Sequence, residues 1–173
     1  MIIGGADGMG KGEGDVLERL FVGTLASFVE AEGGVVVDGG TDTGVMRASG
    51  RARAETGAGY PLVGVVPVEL TKSVALEPNH THFVFVPGSH WGDESPWLPL
   101  VGAALGERLI CLLAGGGAVA RADVEQNRAA GLPVLALRGS GGLADELATM
   151  GAVESAPVDD PPAFGAALRR LLA

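Results

Sequence analysis

Val35-Val36-Val37-Asp38-Gly39-Gly40-Thr41-Asp42-Thr43-Gly44-Val45-Met46 is the stretch that decides the fold. An apolar, β-branched run of this kind suits a strand buried on both faces, the usual situation in a parallel sheet. The glycines after it make a tight turn, and helical spacing from there to about Glu55, stopping near Gly57 and Gly59, completes a strand, glycine loop and helix unit. The same unit recurs along the chain. Ile2-Ile3 runs into Gly4-Gly5-Ala6-Asp7-Gly8, and a helix follows in which Asp15 and Glu18 have capping-box spacing and Leu17, Leu20, Phe21, Leu25, Phe28 and Val29 recur at three- and four-residue steps.

Beyond Gly59 the spacing predicts strands over residues 62–66, closed by Pro67, and 82–86, with a loop over 68–79 between them. A helix opens at Ser95-Pro96. Strands over 109–113 and 134–137 run into Gly115-Gly116-Gly117 and Gly139-Ser140-Gly141-Gly142. Helices are expected over 123–130 and 143–150, and a terminal one from Asp160-Pro161-Pro162 through Leu172. The expected fold is α/β, a Rossmann-like doubly wound, mostly parallel sheet with helices on both faces, formed by one domain over residues 1–173.

Composition agrees. Of 173 residues, 47% are hydrophobic, enough for one core, and the 29 glycines alternate with apolar runs and do not cluster as a linker would. Twelve basic against twenty-one acidic residues leave a net charge of -9, which argues against a nucleic-acid or anionic-membrane partner. The single Cys111 lies in an apolar run and reads as core. With no basic leader before a long apolar stretch at the start, a soluble, cytoplasmic protein is expected.

Four glycine loops, after Ile3, Asp38, Ala114 and Arg138, would meet at the carboxyl edge of such a sheet, where ligands bind. Backbone N–H groups and helix N-termini there attract phosphate. The plain alternative is that the glycines only make tight turns. None of the loops fits G-x-x-x-x-G-K-[ST] or a clean G-x-G-x-x-G, which disfavours a Walker-type NTPase and an ordinary dinucleotide dehydrogenase. Lys11, Arg47, Arg121 and Arg138 stand beside the loops and are expected to focus positive charge on a ligand, Arg138 on pyrophosphate and Arg121 on phosphate or a base. His80, His82 and His90 lie near Asp93 and Glu94. His80 and His82 could share a zinc, but polar side chains at a strand's start more often fasten the preceding loop. Trp91 and Trp97 either stack a ring at the cleft mouth or pin the loop to the body.

Val36 to Met46, then Glu77-Pro78-Asn79-His80-Thr81-His82-Phe83, then Trp91-Gly92-Asp93-Glu94, then Gly139 to Glu146 together resemble, in order, the prokaryotic LSDAT branch of the SLOG superfamily. These Rossmann-like domains are related to the sensor region of TRPM-type channels, to LOG phosphoribohydrolases and to DprA/Smf. The resemblance implies binding of a nucleotide or NAD-derived ligand such as ADP-ribose. It places the ligand at Gly39, Gly40, Thr41, Asp42, Thr43, Gly44 and Val45, at Gly115, Gly116 and Gly117, and at Gly139, Ser140, Gly141 and Gly142, with Gly4 and Gly5 contributing. It implies no resident cofactor or metal. A homo-oligomer is expected, since the relatives pair and Ala48, Ala52 and Ala103-Ala104 permit close helix approach. LOG enzymes share the element at Gly39 to Met46 but also carry Pro-Gly-Gly-x-Gly-Thr followed by carboxylates. Here Ala114-Gly115-Gly116-Gly117-Ala118-Val119-Ala120-Arg121-Ala122 stands instead, leaving only Asp123 and Glu125 nearby. A ligand-binding sensor is therefore favoured over the alternative, a phosphoribohydrolase releasing a base from a nucleoside monophosphate.

Overall fold

Each buried strand divides its side chains between two apolar clusters. Ile2, Val36, Leu62, Leu112 and Leu135 belong to one, and their neighbours Ile3, Val37, Val63, Leu113 and Ala136 to the other. Alternation with both faces covered is what parallel strands between two helix layers require. A computed structural model describes residues 1–5 and 11–173, without the side chain of Lys11.

The strands are β1 (Ile2–Gly4), β2 (Val36–Asp38), β3 (Leu62–Pro67), β4 (His82–Val86), β5 (Cys111–Ala114), β6 (Val134–Arg138) and β7 (Glu154–Pro157). Hydrogen-bonded ladders give the orders β1-β5-β6-β7 and β2-β3-β4, all parallel, and β2 lies alongside β1. The helices are α1 (Lys11–Leu20), running through a π-turn at Phe21–Leu25 into α2 (Ala26–Ala31), then α3 (Gly44–Thr56), α4 (Trp97–Leu105), α5 (Ala118–Ala129), α6 (Gly142–Thr149) and α7 (Pro161–Leu172). Leu17, Phe21, Val45, Phe164 and Leu168 seat α1, the π-turn, α3 and α7 on the first face. Leu98, Val124 and Leu147 seat α4, α5 and α6 on the second. The fold is thus α/β and Rossmann-like. The chain winds outward from β1 to β4 and then returns to β5 on the other side of β1. Winding reverses between β1 and β5, and a crevice opens beyond their carboxyl ends.

Several boundaries differ from the sequence expectation. The first helix starts at Lys11, so Asp15 and Glu18 sit inside it and form no capping box. α5 starts at Ala118, five residues before the expected Asp123, because its first turn is alanine and valine behind a glycine N-cap that carries no capping side chain. β7 was not expected, since Glu-Ser-Ala-Pro has no apolar run and only Ala156 is buried. The expected loop over 68–79 holds a short 3-10 turn at Leu70–Lys72. Ala48 and Ala52 pack into the core and leave no small-residue face on α3, whereas Ala103 and Ala104 are exposed on α4. Asp160 caps α7 by accepting a hydrogen bond from the Ala163 N–H at 2.9 Å. No helix among the described residues is long and apolar enough to cross a membrane.

Candidate functional site

The carboxyl ends of β1, β2 and β5 open onto a cleft of about 430 Å³, the size range of small-molecule sites. Ile2 to Gly5, Gly39, Thr41, Gly115 to Ala120, Ser140 and Gly142 line it, with Glu13, Met46, Trp91, Glu94, Leu98 and Asp123. Three of the glycine loops therefore meet here together with the end of β1. Ala6 to Gly10, which follow Gly5, lie outside the described residues.

The loops play different parts. At α5, Gly117 gives no side-chain cap, and the helix's first backbone bond runs from Arg121 N to Gly117 O. The amides of Ala118, Val119 and Ala120 thus have no acceptor inside the helix and belong to residues that line the cleft. They form a neutral anion cradle with the positive end of the α5 dipole behind it. At α6 the first-turn amides are already taken: Leu143 N–H donates to Gly116 O at 2.9 Å and Ala144 N–H to Gly115 O at 3.0 Å. Ser140 Oγ accepts from Gly115 N–H at 2.8 Å and donates to Leu137 O. The fourth glycine loop is a buttress for the third. At α3, Val45 N–H donates to Gly5 O at 3.0 Å and ties β1 to the second loop.

The second loop is fastened from behind by buried charge. His80 is sealed from solvent between Asp38, whose Oδ1 is 2.7 Å from Nε2, and Glu77, whose Oε2 is 2.9 Å from Nδ1. Burial pulls the imidazolium down, but the hydrogen bonds and charges of Asp38 and then Glu77 outweigh this and hold His80 above the usual histidine range. Both ring nitrogens then donate. Asp38 Oδ1 also accepts from Gly40 N–H at 2.8 Å, and Glu77 N–H donates to Gly40 O at 2.9 Å. His82 is exposed on β4, so the two histidines do not converge on one ion, and no metal-holding cluster occurs among the described residues.

The other wall of the cleft is acidic. Asp123 and Glu94 are buried to 6% and 7% exposure. Ser95 Oγ donates to Asp123 Oδ1 at 2.5 Å, and Gly92 N–H to Glu94 Oε2 at 2.9 Å. Burial pushes Asp123 up to about 6, with Glu94 adding to the rise, and burial raises Glu94 as well. Trp91 stands half-exposed at the rim, whereas Trp97 starts α4 outside the lining.

Not all expected site residues reach the lining. Gly40, Asp42, Thr43, Gly44, Val45, Gly139 and Gly141 lie behind it. Gly40 has φ +66°, and a Cβ there would stand 2.8 Å from Gly64 Cα, so this glycine serves loop packing against β3. Of the four cations expected beside the loops, the Lys11 side chain lies outside the described residues, and no Lys, Arg or His among the described side chains lines the cleft. Arg47 pairs with Asp42 and Arg121 with Glu146, while Arg138 is exposed at the end of β6. Asp123 and Glu94 are the residues that motif reading passed over as site residues. Asp123 falls on the inward stripe Ala120, Val124 and Asn127, and a carboxylate on a buried stripe is the signal that marks it. Glu125 faces solvent.

A family model described as LSDAT, SLOG in TRPM, prokaryote, matches residues 1–164. A search of curated proteins by sequence gives no match. Solved structures of similar fold include a molybdenum cofactor binding protein from the phototrophic bacterium Rippkaea orientalis. It has a TM-score of 0.71 and 17% identity over 99% of this chain and 95% of that one. The molybdenum cofactor carrier protein of Chlamydomonas reinhardtii superposes with a TM-score of 0.70 and 20% identity, again over 99% and 95%.

Proposed function

The chain belongs to this prokaryotic family of SLOG domains of the TRPM type, and on that premise we propose that its cleft binds a phosphorylated, nucleotide- or NAD-derived small molecule such as ADP-ribose. The observation that carries the reading is the open first turn of α5 within the cleft. Three amides without helical acceptors and the end of a dipole stabilise phosphate where no described lysine or arginine lines the cleft, which suits a chain at -9. The apolar side chains of Ile3, Met46 and Leu98 and the Trp91 indole give a ring a surface to lie against. The homo-oligomer belongs to this proposal too; its support is the apolar outer side of α4, where Trp97, Leu100 and Leu105 are exposed.

A thermal-shift series with AMP, ADP-ribose, NAD and the molybdenum cofactor tests the reading. Ligand at a hundred times its Kd adds about 2.7 kcal/mol to stability, a readily measured rise in melting temperature. ADP-ribose or AMP is expected to give it. A shift with the molybdenum cofactor alone would transfer the site to the chemistry named for the fold neighbours, and no shift with any of the four would sink the reading. The buried carboxylates favour a second reading, N-glycosidic hydrolysis, since a carboxylate at the cleft wall can steady positive charge developing on ribose. Chromatography after prolonged incubation with AMP separates the two: a free base formed at enzyme-like rates means hydrolysis, and intact nucleotide means binding.

A further inference from the structure

Asp123 and Glu94 have no role in the backbone cradle, yet they line the same cleft and are nine-tenths buried. Of Asp123, only Oδ1 is engaged, by Ser95; its Oδ2 has no hydrogen-bond partner among the described residues. In the same lining, Thr41 Oγ1 is buried without a partner. Buried carboxylates normally have a cation or several donors beside them. Among the described residues this cleft supplies no cation, and the pair has one hydroxyl, from Ser95 to Asp123, and two backbone amides, of Gly92 and Glu94 to Glu94. Asp123 Oδ2 is left to accept a further donor from what enters the cleft.

Helix geometry restricts what those donors are. Asp123 stands five residues beyond Ala118, about 7.5 Å along α5 at 1.5 Å per residue. Ala120 and Asp123 are three apart and share the helix face that lines the cleft. A phosphate on the open first turn therefore places the sugar attached to it against Asp123. We propose that Asp123 and Glu94 accept hydrogen bonds from the vicinal 2- and 3-hydroxyls of a ribose 5-phosphate unit, so that this pair selects ribosyl over deoxyribosyl ligands. The proposal rests on the phosphate reading of the α5 turn and deepens it by naming the sugar.

Protonation adds an independent readout. Hydroxyl donors favour the ionised carboxylate, so a bound diol lowers Asp123 from about 6 and releases a proton near pH 6. The other groups facing Asp123 are Glu94, the Ser95 hydroxyl and Cys111 of β5, whose thiol burial pushes up to about 12 and keeps neutral; Glu13 of α1 lines the same cleft. The phosphate titrates in this range as well, but 2-deoxyribose 5-phosphate carries the same phosphate, so the difference between the two sugars cancels it.

The experiment is calorimetric titration of the protein with ribose 5-phosphate, 2-deoxyribose 5-phosphate and inorganic phosphate at pH 6 in buffers of different ionisation enthalpy. It is repeated on Asp123→Ala and on the shape-preserving double variant Asp123→Asn, Glu94→Gln, with melting curves to verify folding. Ribose 5-phosphate should bind at least tenfold more tightly than the deoxy sugar and release more protons. In the variants the ratio should fall to within twofold while phosphate affinity is kept. Phosphate binding with no preference between the sugars overturns this proposal alone, as does a preference that survives in both variants. Failure of all three compounds to bind overturns the phosphate reading and this one with it.

Discussion

Two helices begin at glycine loops on neighbouring parallel strands, and they use their N-termini in opposite ways. α5 leaves its first turn open to the cleft, while α6 gives the amides of Leu143 and Ala144 to the carbonyls of Gly116 and Gly115. A helix N-terminus is thus either a place for an anion or a clamp for a carbonyl. The local sequences, Gly115-Gly116-Gly117 and Gly139-Ser140-Gly141-Gly142, do not announce which. The loop of β2 adds a third solution, in which an imidazolium between two carboxylates does the holding.

The loop of β2 provides the largest expected effect. His80→Ala leaves Asp38 and Glu77 facing each other without a cation in a site closed to solvent, and removing one partner of such a buried network costs about 3–5 kcal/mol. The sign of the pH dependence follows from the raised His80. Its contribution is fully present below about 6.5, the ordinary histidine value, and is lost as pH rises through the higher folded-state value. Urea unfolding from pH 6 to 9 should show stability declining on the alkaline side in the parent protein and a flatter profile in the variant. An unchanged profile would mean that His80 is held neutral.

Paired substitutions sharpen the contrast between α5 and α6. Gly142 has φ +53°, and a Cβ there would stand 2.4 Å from Gly116 O, so Gly142→Val forces the clamp apart and should cost at least about 2 kcal/mol in denaturant unfolding. At Gly117, with φ -128°, a Cβ meets nothing within 4 Å. Gly117→Ala should leave stability within about 0.5 kcal/mol but weaken ADP-ribose binding by occupying the cradle. If both variants lose stability equally, the two loops are not a cradle and a clamp.

How much of this was legible depends on what carried the information. Buried strands were readable because Val36-Val37 and Leu112-Leu113 must be apolar on both sides, and β4, although only Val86 in it is buried, was readable from its run of Phe and Val. The strand Glu154–Pro157 was not, since at the sheet's edge one buried alanine is all its packing demands. Glycine loops were legible as turns, while their division of labour is written in hydrogen bonds between segments distant in sequence. Ser140 with Gly115, and Ser95 with Asp123, are separated by 25 and 28 residues, and no local spacing encodes either pairing.

The smallest expected effect concerns a side-chain ion pair that joins α5 to α6. Arg121 donates to Glu146 at 2.7 Å, but the two side chains are 47% and 48% exposed. Water screens such a pair and holding two long side chains costs entropy, so Arg121→Ala should lower stability by less than about 1 kcal/mol, and less still at high salt. The backbone clamp at Leu143 and Ala144 is untouched by the substitution, which is why so little should change. Because Arg121 lies outside the cleft lining, ADP-ribose affinity should also stay within about twofold, a difference of roughly 0.4 kcal/mol. A tenfold loss in calorimetric titration, about 1.4 kcal/mol, would mean that Arg121 leaves Glu146 to reach the ligand. The cradle of α5 would then need a cation as well as its amides, and the contrast with α6 would lie in a mobile side chain in addition to an open first turn.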